Sequence, residues 1–122
     1  MELNFPILEL GDLLITTILF DLSDQQVVQF QSDIVNAIKN RDAEGIVIDI
    51  STLDVVDSFM ARVINDTAKA ARLVGAEVVV CGVQPYVALA LVELGRNLFN
   101  VDTTFNLEQG IDRLRQRLQL RA

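Results

Sequence analysis

A chain of 122 residues, 51% hydrophobic and 22% charged, has the length and balance of one soluble domain whose core needs no disulfide. Its formal net charge of −7 argues against a nucleic-acid binder. The lone Cys81 excludes an internal bridge and fits a reducing compartment, and with neither a signal-peptide pattern nor an apolar run of bilayer length the sequence reads as cytoplasmic. The charge is uneven: residues 1–60 carry two basic and eleven acidic side chains, residues 61–122 eight and six. Such a split is compatible with ordinary solvated surface, or with acidic and basic faces that stack on copies or relatives.

Pro6 to Leu10 and Leu13 to Leu19 are apolar and β-branched enough for strands. Gly11-Asp12 between them fits a two-residue hairpin turn. Ser23-Asp24-Gln25-Gln26 then has the pattern of a capping box, in which serine and glutamine close a helix start reciprocally. Val27, Phe30, Ile34 and Ile38 follow at helical spacing. Ile46 to Ile50, after Gly45, reads as a buried central strand. From Phe59 a second helical face runs through Val63, Ala68 and Ala71, with Gly75 as its stop. Ala76 to Cys81 is another buried strand, ended by Gly82. Pro85 opens a helix that runs through Leu94 to Gly95. Thr103 to Phe105 makes a short strand. Asn106 with Gln109 repeats the capping pattern before a last helix with Leu107, Ile111, Leu114 and Leu118 on its core face. Arg113, Arg115, Arg117 and Arg121 are expected on its solvated side. The order β-β-α-β-α-β-α-β-α predicts an α/β fold: a mixed, mostly parallel sheet of four or five strands with about four helices packed on it.

The available chemistry is narrow. Without histidine there is no ordinary neutral-pH base, no Ser-His-Asp arrangement and no common zinc ligand. Cys81, at the end of a buried strand, reads as an inert core thiol. No metal and no cofactor is expected. Gly82-Val83-Gln84-Pro85 is a strand-to-helix turn, a weak phosphate cradle at best. Asp49, Asp54 and Asp57 gather near one strand end, where carboxylates suit Mg²⁺. That suggests an alternative, a small nucleotide-binding or Mg²⁺-dependent receiver-like domain. Receivers, however, carry an acidic pair after the first strand and a lysine after the last. Here Gly11 follows Leu10, and the only lysines are Lys39 and Lys69.

Ser58, in Asp54-Val55-Val56-Asp57-Ser58-Phe59, can be read as a helix cap, a nucleophile or a phosphate acceptor. Asp57 would cap equally well. Either way Ser58 stands at a helix N-terminus, where backbone N–H groups and the helix dipole tolerate phosphate. Phosphorylation would add about −1.5 to −2 charges beside Asp54 and Asp57 and repel a partner fitted to the neutral serine.

Ile46-Val47-Ile48-Asp49-Ile50 running into Asp54-Val55-Val56-Asp57-Ser58, within this element order, resembles the STAS domain, the fold of anti-sigma factor antagonists. PILELGDLLI, IVIDISTLDVVDSF, GVQPYVALALVELG and FNLEQGIDRLRQRL resemble the RsbS-type branch, the small scaffold proteins of the bacterial stressosome, and the likeness covers nearly all of residues 1–122 as a single STAS domain. It implies a binding switch rather than an enzyme. Its partners would be a switch serine/threonine kinase of the RsbT type, a sensory co-antagonist of the RsbR type that shares the STAS domain, and a serine phosphatase that resets the site. A homodimer and a larger hetero-oligomer are implied, with no nucleic acid or membrane partner. By position Ser58 matches the family's phosphorylated serine and Asp57 the acidic residue before it. Asp54, Asp57 and Phe59 are the expected partner-binding neighbours. Because the sequence starts at its first strand, it fits the minimal scaffold better than a co-antagonist with a sensory domain.

Overall fold

Nine elements alternate along the chain in the computed structural model, which describes residues 5–19, 22–93 and 101–121. They are β1 (Ile7–Leu10), β2 (Leu13–Thr17), α1 (Asp24–Arg41), β3 (Gly45–Asp49), α2 (Ser58–Leu73), β4 (Glu77–Cys81), α3 (Pro85–Glu93), β5 (Asp102–Thr104) and α4 (Leu107–Arg121). The five strands form one sheet in sequence order. β1 and β2 pair antiparallel through the turn at Gly11, whose φ of 61° suits glycine. Every later pairing is parallel.

The run of β-branched residues in the inner strands reflects burial on both faces. Alternate side chains point to opposite sides of the sheet. Leu14, Ile46, Ile48, Val78 and Val80 pack with Phe30, Ile34 and Ile38 of α1, with the apolar side of α2, and with Val87 of α3. Leu13, Ile15, Val47, Val79 and Cys81 face the other way, against Leu114 of α4, with Ile111 and Leu118 beside it. Thus α1, α2 and α3 cover one face and α4 the other. Gly110 lets α4 sit close: a Cβ there would stand 3.2 Å from Cys81 Cβ and 3.3 Å from Val47 Cγ1.

The expected element order holds throughout, with the second strand ending earlier, at Thr17. Three placements differ. Phe59, expected on the core face of its helix, is 39% exposed, and the buried face runs through Met60, Ala61, Val63, Ile64, Thr67, Ala68 and Ala71. Leu107 is likewise exposed, because it precedes the turn of α4 that meets the sheet. Arg117 is not merely solvated: its Nη1 donates to Asp102 Oδ2 at 2.9 Å and its Nε to Glu77 Oε2 at 3.4 Å. Arg113 adds an ion pair to Asp102 at 3.6 Å, so the arginines tie α4 to β4 and β5. The helix end expected at Leu94 and Gly95, and the side chain of Arg121, lie outside the described residues.

Candidate functional site

The connection from β3 to α2 lies at the carboxyl end of the parallel strands. It leaves β3 through a tight turn in which Asp49 Oδ1 accepts the N–H of Ser51 at 2.9 Å. Ile50 N–H continues the sheet by donating to Cys81 O at 3.0 Å. Thr52 Oγ1 donates to Ile18 O at 2.8 Å, tying the loop to the end of β2. Leu53 and Val56 turn inward and are buried, while Asp54, Val55, Asp57, Ser58 and Phe59 turn outward. Val55 is 70% exposed, an unusual position for a branched apolar side chain. Two buried anchors therefore hold a short loop whose intervening residues are offered to solvent.

Asp57 is the N-cap of α2. Its backbone is extended, its Oδ1 accepts the N–H of Met60 at 2.8 Å, and its carbonyl accepts the N–H of Ala61 at 2.9 Å. Ser58 is then the first helical residue. Its side chain is exposed, and its hydroxyl makes no hydrogen bond to the described residues. The two capping candidates are thereby separated: Asp57 holds the helix and Ser58 does not. Of the orphan amides in that first turn, the cap takes Met60's, so those of Ser58 and Phe59 remain for an anion.

The three aspartates do not form one acidic pocket. No group of three or more His, Cys, Asp or Glu among the described residues is placed to hold a metal ion. Asp49 serves the turn and Asp57 the cap. Cys81 is fully buried, and its thiol is pushed up to about 12 by burial, by the charge of neighbouring Asp49 and by a hydrogen bond to it. It is a proton-bearing core group at neutral pH.

Gly82, whose role the sequence left as a turn, is fixed by both space and conformation. Its φ is 81°, and a Cβ would stand 2.6 Å from Ser51 Cβ and 2.7 Å from Ser51 N. The end of β4 and the start of the loop are therefore packed backbone to backbone. A glycine after an apolar strand was the only signal in the sequence, and it did not reveal the neighbour across the sheet.

An α/β sheet with this hairpin opening, this crossover order and a capped helix start after β3 defines the class. The STAS domain family matches residues 5–109, and the chain belongs to that family. Within it the likeness is to stressosome proteins. RsbS of Moorella thermoacetica, solved as a serine-to-glutamate variant, superposes with a TM-score of 0.82 at 37% identity, over 94% of this chain and 97% of that one. A chain from the molecular architecture of the stressosome gives a TM-score of 0.82 at 39% identity, over 93% and 98%. The RsbT co-antagonist protein RsbRA of Bacillus subtilis (strain 168) is 27% identical over 111 residues, 90% of this chain but 40% of its own length. This chain thus spans about two fifths of that relative. The chain is an RsbS-like STAS protein. Among the described residues no helix is long and apolar enough to cross a membrane.

Proposed function

We propose that this chain is a phospho-regulated scaffold of bacterial stress signalling. It binds a switch serine/threonine kinase of the RsbT type at the surface around Ser58 and keeps it from its downstream target. Phosphorylation of Ser58 releases the kinase, and a serine phosphatase restores the binding form. The chain acts by binding, not as an enzyme, in the cytoplasm. It assembles with itself and with co-antagonists of the RsbR type. The relatives support this reading by what they are called: an RsbT co-antagonist, a stressosome component, and an RsbS whose serine has been replaced by an acidic residue.

The observation that carries it is the division of labour between Asp57 and Ser58. A serine at a helix start normally spends its oxygen on the helix. Here the carboxylate next to it does that, and the hydroxyl stands in solvent. In the transfer step Ser58 Oγ forms a bond to the γ-phosphorus of ATP, the bond to the ADP oxygen breaks, and the serine proton passes to a base of the kinase. The product is compatible with the fold, since a phosphate at the start of α2 meets two orphan amides and the positive end of the helix. It is incompatible with the docked partner, because about two negative charges join Asp54 and Asp57 on the same surface. Like charges brought across an interface cost affinity.

The affinity of a purified RsbT-type kinase for three forms of the chain tests this. Ser58→Ala is expected to bind within about twofold of the wild type and to retain the kinase when Mg-ATP is added. Ser58→Asp is expected to bind at least about tenfold more weakly, a loss of about 1.4 kcal/mol. Equal affinity for all three forms would contradict the proposal.

A further inference from the structure

A second feature lies at the same end of the sheet and is not used by the phosphate switch. β4 leads to α3 on one face and β5 leads to α4 on the other, so the two loops part above the strand ends. In open α/β sheets such a divergence is where ligands bind. A cleft of about 290 Å³ opens there, lined by Asp49, Ser51, Val83, Gln84, Phe105, Asn106 and Leu107.

Its chemistry is one-sided. Among the described residues no lysine or arginine lines it, and its one charged side chain is Asp49. Asp49 is half-buried at its floor, makes no ion pair among the described residues, and accepts the Ser51 N–H on Oδ1 and a hydrogen bond from the buried Cys81 thiol, so its negative charge stays without a cationic partner. Gln84 uses its amide N–H on Ser51 O at 3.4 Å, leaving its carbonyl oxygen as an acceptor. Asn106 has its own oxygen occupied by Gln109 N–H at 2.8 Å. Phe105 is 67% exposed, its ring left at the rim. A carboxylate with no cationic partner, further acceptors from Ser51 and Gln84, and an exposed ring match a flat cation with several N–H donors. A guanidinium has that shape and stacks on aromatic faces, whereas a lysine ammonium is a compact, strongly hydrated charge.

We infer that this cleft receives the guanidinium of an arginine side chain carried by the protein that docks at Ser58. The inference rests on the proposed function for the identity of the partner, and on the cleft alone for the chemistry. Ser51 belongs both to the cleft and to the loop that leads to Ser58, so the proposed partner is one that spans from that loop to the cleft. The contact supplies the acidic loop with an opposite charge at a point separate from the phosphorylated hydroxyl.

Titration of the full ¹⁵N-labelled chain with N-acetyl-arginine amide tests the chemistry. The expected result is saturable shifts of the Ser51, Gln84, Phe105 and Asn106 amides at millimolar concentration. The neutral analogue N-acetyl-citrulline amide and N-acetyl-lysine amide should produce responses at least fivefold weaker. Asp49→Asn, which keeps the turn's acceptor oxygen but loses the charge, should weaken arginine amide binding at least fivefold, as should Phe105→Ala, whose exposed ring is not needed for the core. Shifts elsewhere, or equal shifts with the citrulline analogue, would overturn the guanidinium site. Kinase affinity then tests the source. If Asp49→Asn and Phe105→Ala weaken an RsbT-type kinase about tenfold or more, the arginine is the kinase's. If they leave kinase affinity unchanged, the partner arginine is ruled out while the proposed function stands. If no kinase binds the wild type, the proposed function fails and the partner assignment with it, and the titration still decides the chemistry of the cleft.

Discussion

Two serines stand at two helix starts in this chain, and only one of them holds its helix. Ser23 caps α1: its Oγ accepts the N–H of Gln26 at 3.3 Å, and Gln26 Oε1 accepts the N–H of Ser23 at 2.9 Å. Ser58 stands one residue further in, at the first helical position of α2, because Asp57 has taken the cap. Ser23 is committed to the fold, whereas the Ser58 hydroxyl takes no part in holding its helix. The difference shows that a residue type at a helix start does not define a role, since the position relative to the cap does. A carboxylate one residue before a serine is enough to convert a structural hydroxyl into an available one.

The largest expected effect sharpens the contrast between the rigid floor of the site and its free surface. Gly82→Ala should destabilise the fold by about 2–4 kcal/mol, from left-handed strain plus overlap with the Ser51 backbone. Gly11→Ala, at a similar φ but in open space, should cost only about 1 kcal/mol, the strain alone. Urea unfolding of the two variants measures this, and equal losses would mean that Ser51 shifts freely.

The two caps come next. Ser23→Ala and Asp57→Ala are each expected to lower stability by about 1 kcal/mol. Ser58→Ala should stay within about 0.5 kcal/mol of the wild type, as for an exposed residue with no partner. A loss for Ser58→Ala as large as that for Asp57→Ala would break the comparison, because the hydroxyl would then be holding the helix.

Cys81 provides a control for the interior behind the loop. Its thiol keeps its proton up to about 12 in the fold, against 9.0 for the exposed thiol of the unfolded chain. Between these values the folded state holds the additional proton, so stability should be unaffected by this group below about pH 9 and should fall as pH rises toward 12. At neutral pH a thiol reagent should label Cys81 only as fast as the fold opens, as seen by mass spectrometry of native and urea-treated samples. The smallest effect is expected on the opposite face: Arg117→Gln should cost under about 1 kcal/mol and lose most of that difference in high salt, since the side chains of Arg117, Asp102 and Glu77 are all partly exposed.

The sequence carried the fold to a large extent because its signals are local and repeated. The alternation of buried runs with helical spacing gave all nine elements in order, and the Ser23–Gln26 and Asn106–Gln109 patterns marked two helix starts that the hydrogen bonds confirm. What it did not carry depends on contacts between segments far apart in the chain. Phe59 has an apolar side chain at the right period for the core, yet in the first turn of α2 it is Met60 that turns inward and Phe59 that stays exposed. Arg117 looked like surface because its two acidic partners come from β4 and β5. Gly110 interrupts a helix for a reason visible only in the closeness of α4 to Cys81 and Val47. At the site, Ser58 and its acidic neighbours were legible as a pattern. Which of Asp57 and Ser58 caps the helix was not, since the two differ by a single step along the backbone. The cleft at the sheet's carboxyl end was invisible, being assembled from the ends of three strands.

The measurement that tests the central claim most directly is intact mass with phosphopeptide mapping after incubation with an RsbT-type kinase and Mg-ATP, on the wild type and on Ser58→Ala. The account predicts one added phosphate, on Ser58, absent from the variant. No phosphate on the wild type, or a phosphate on another residue, would contradict it.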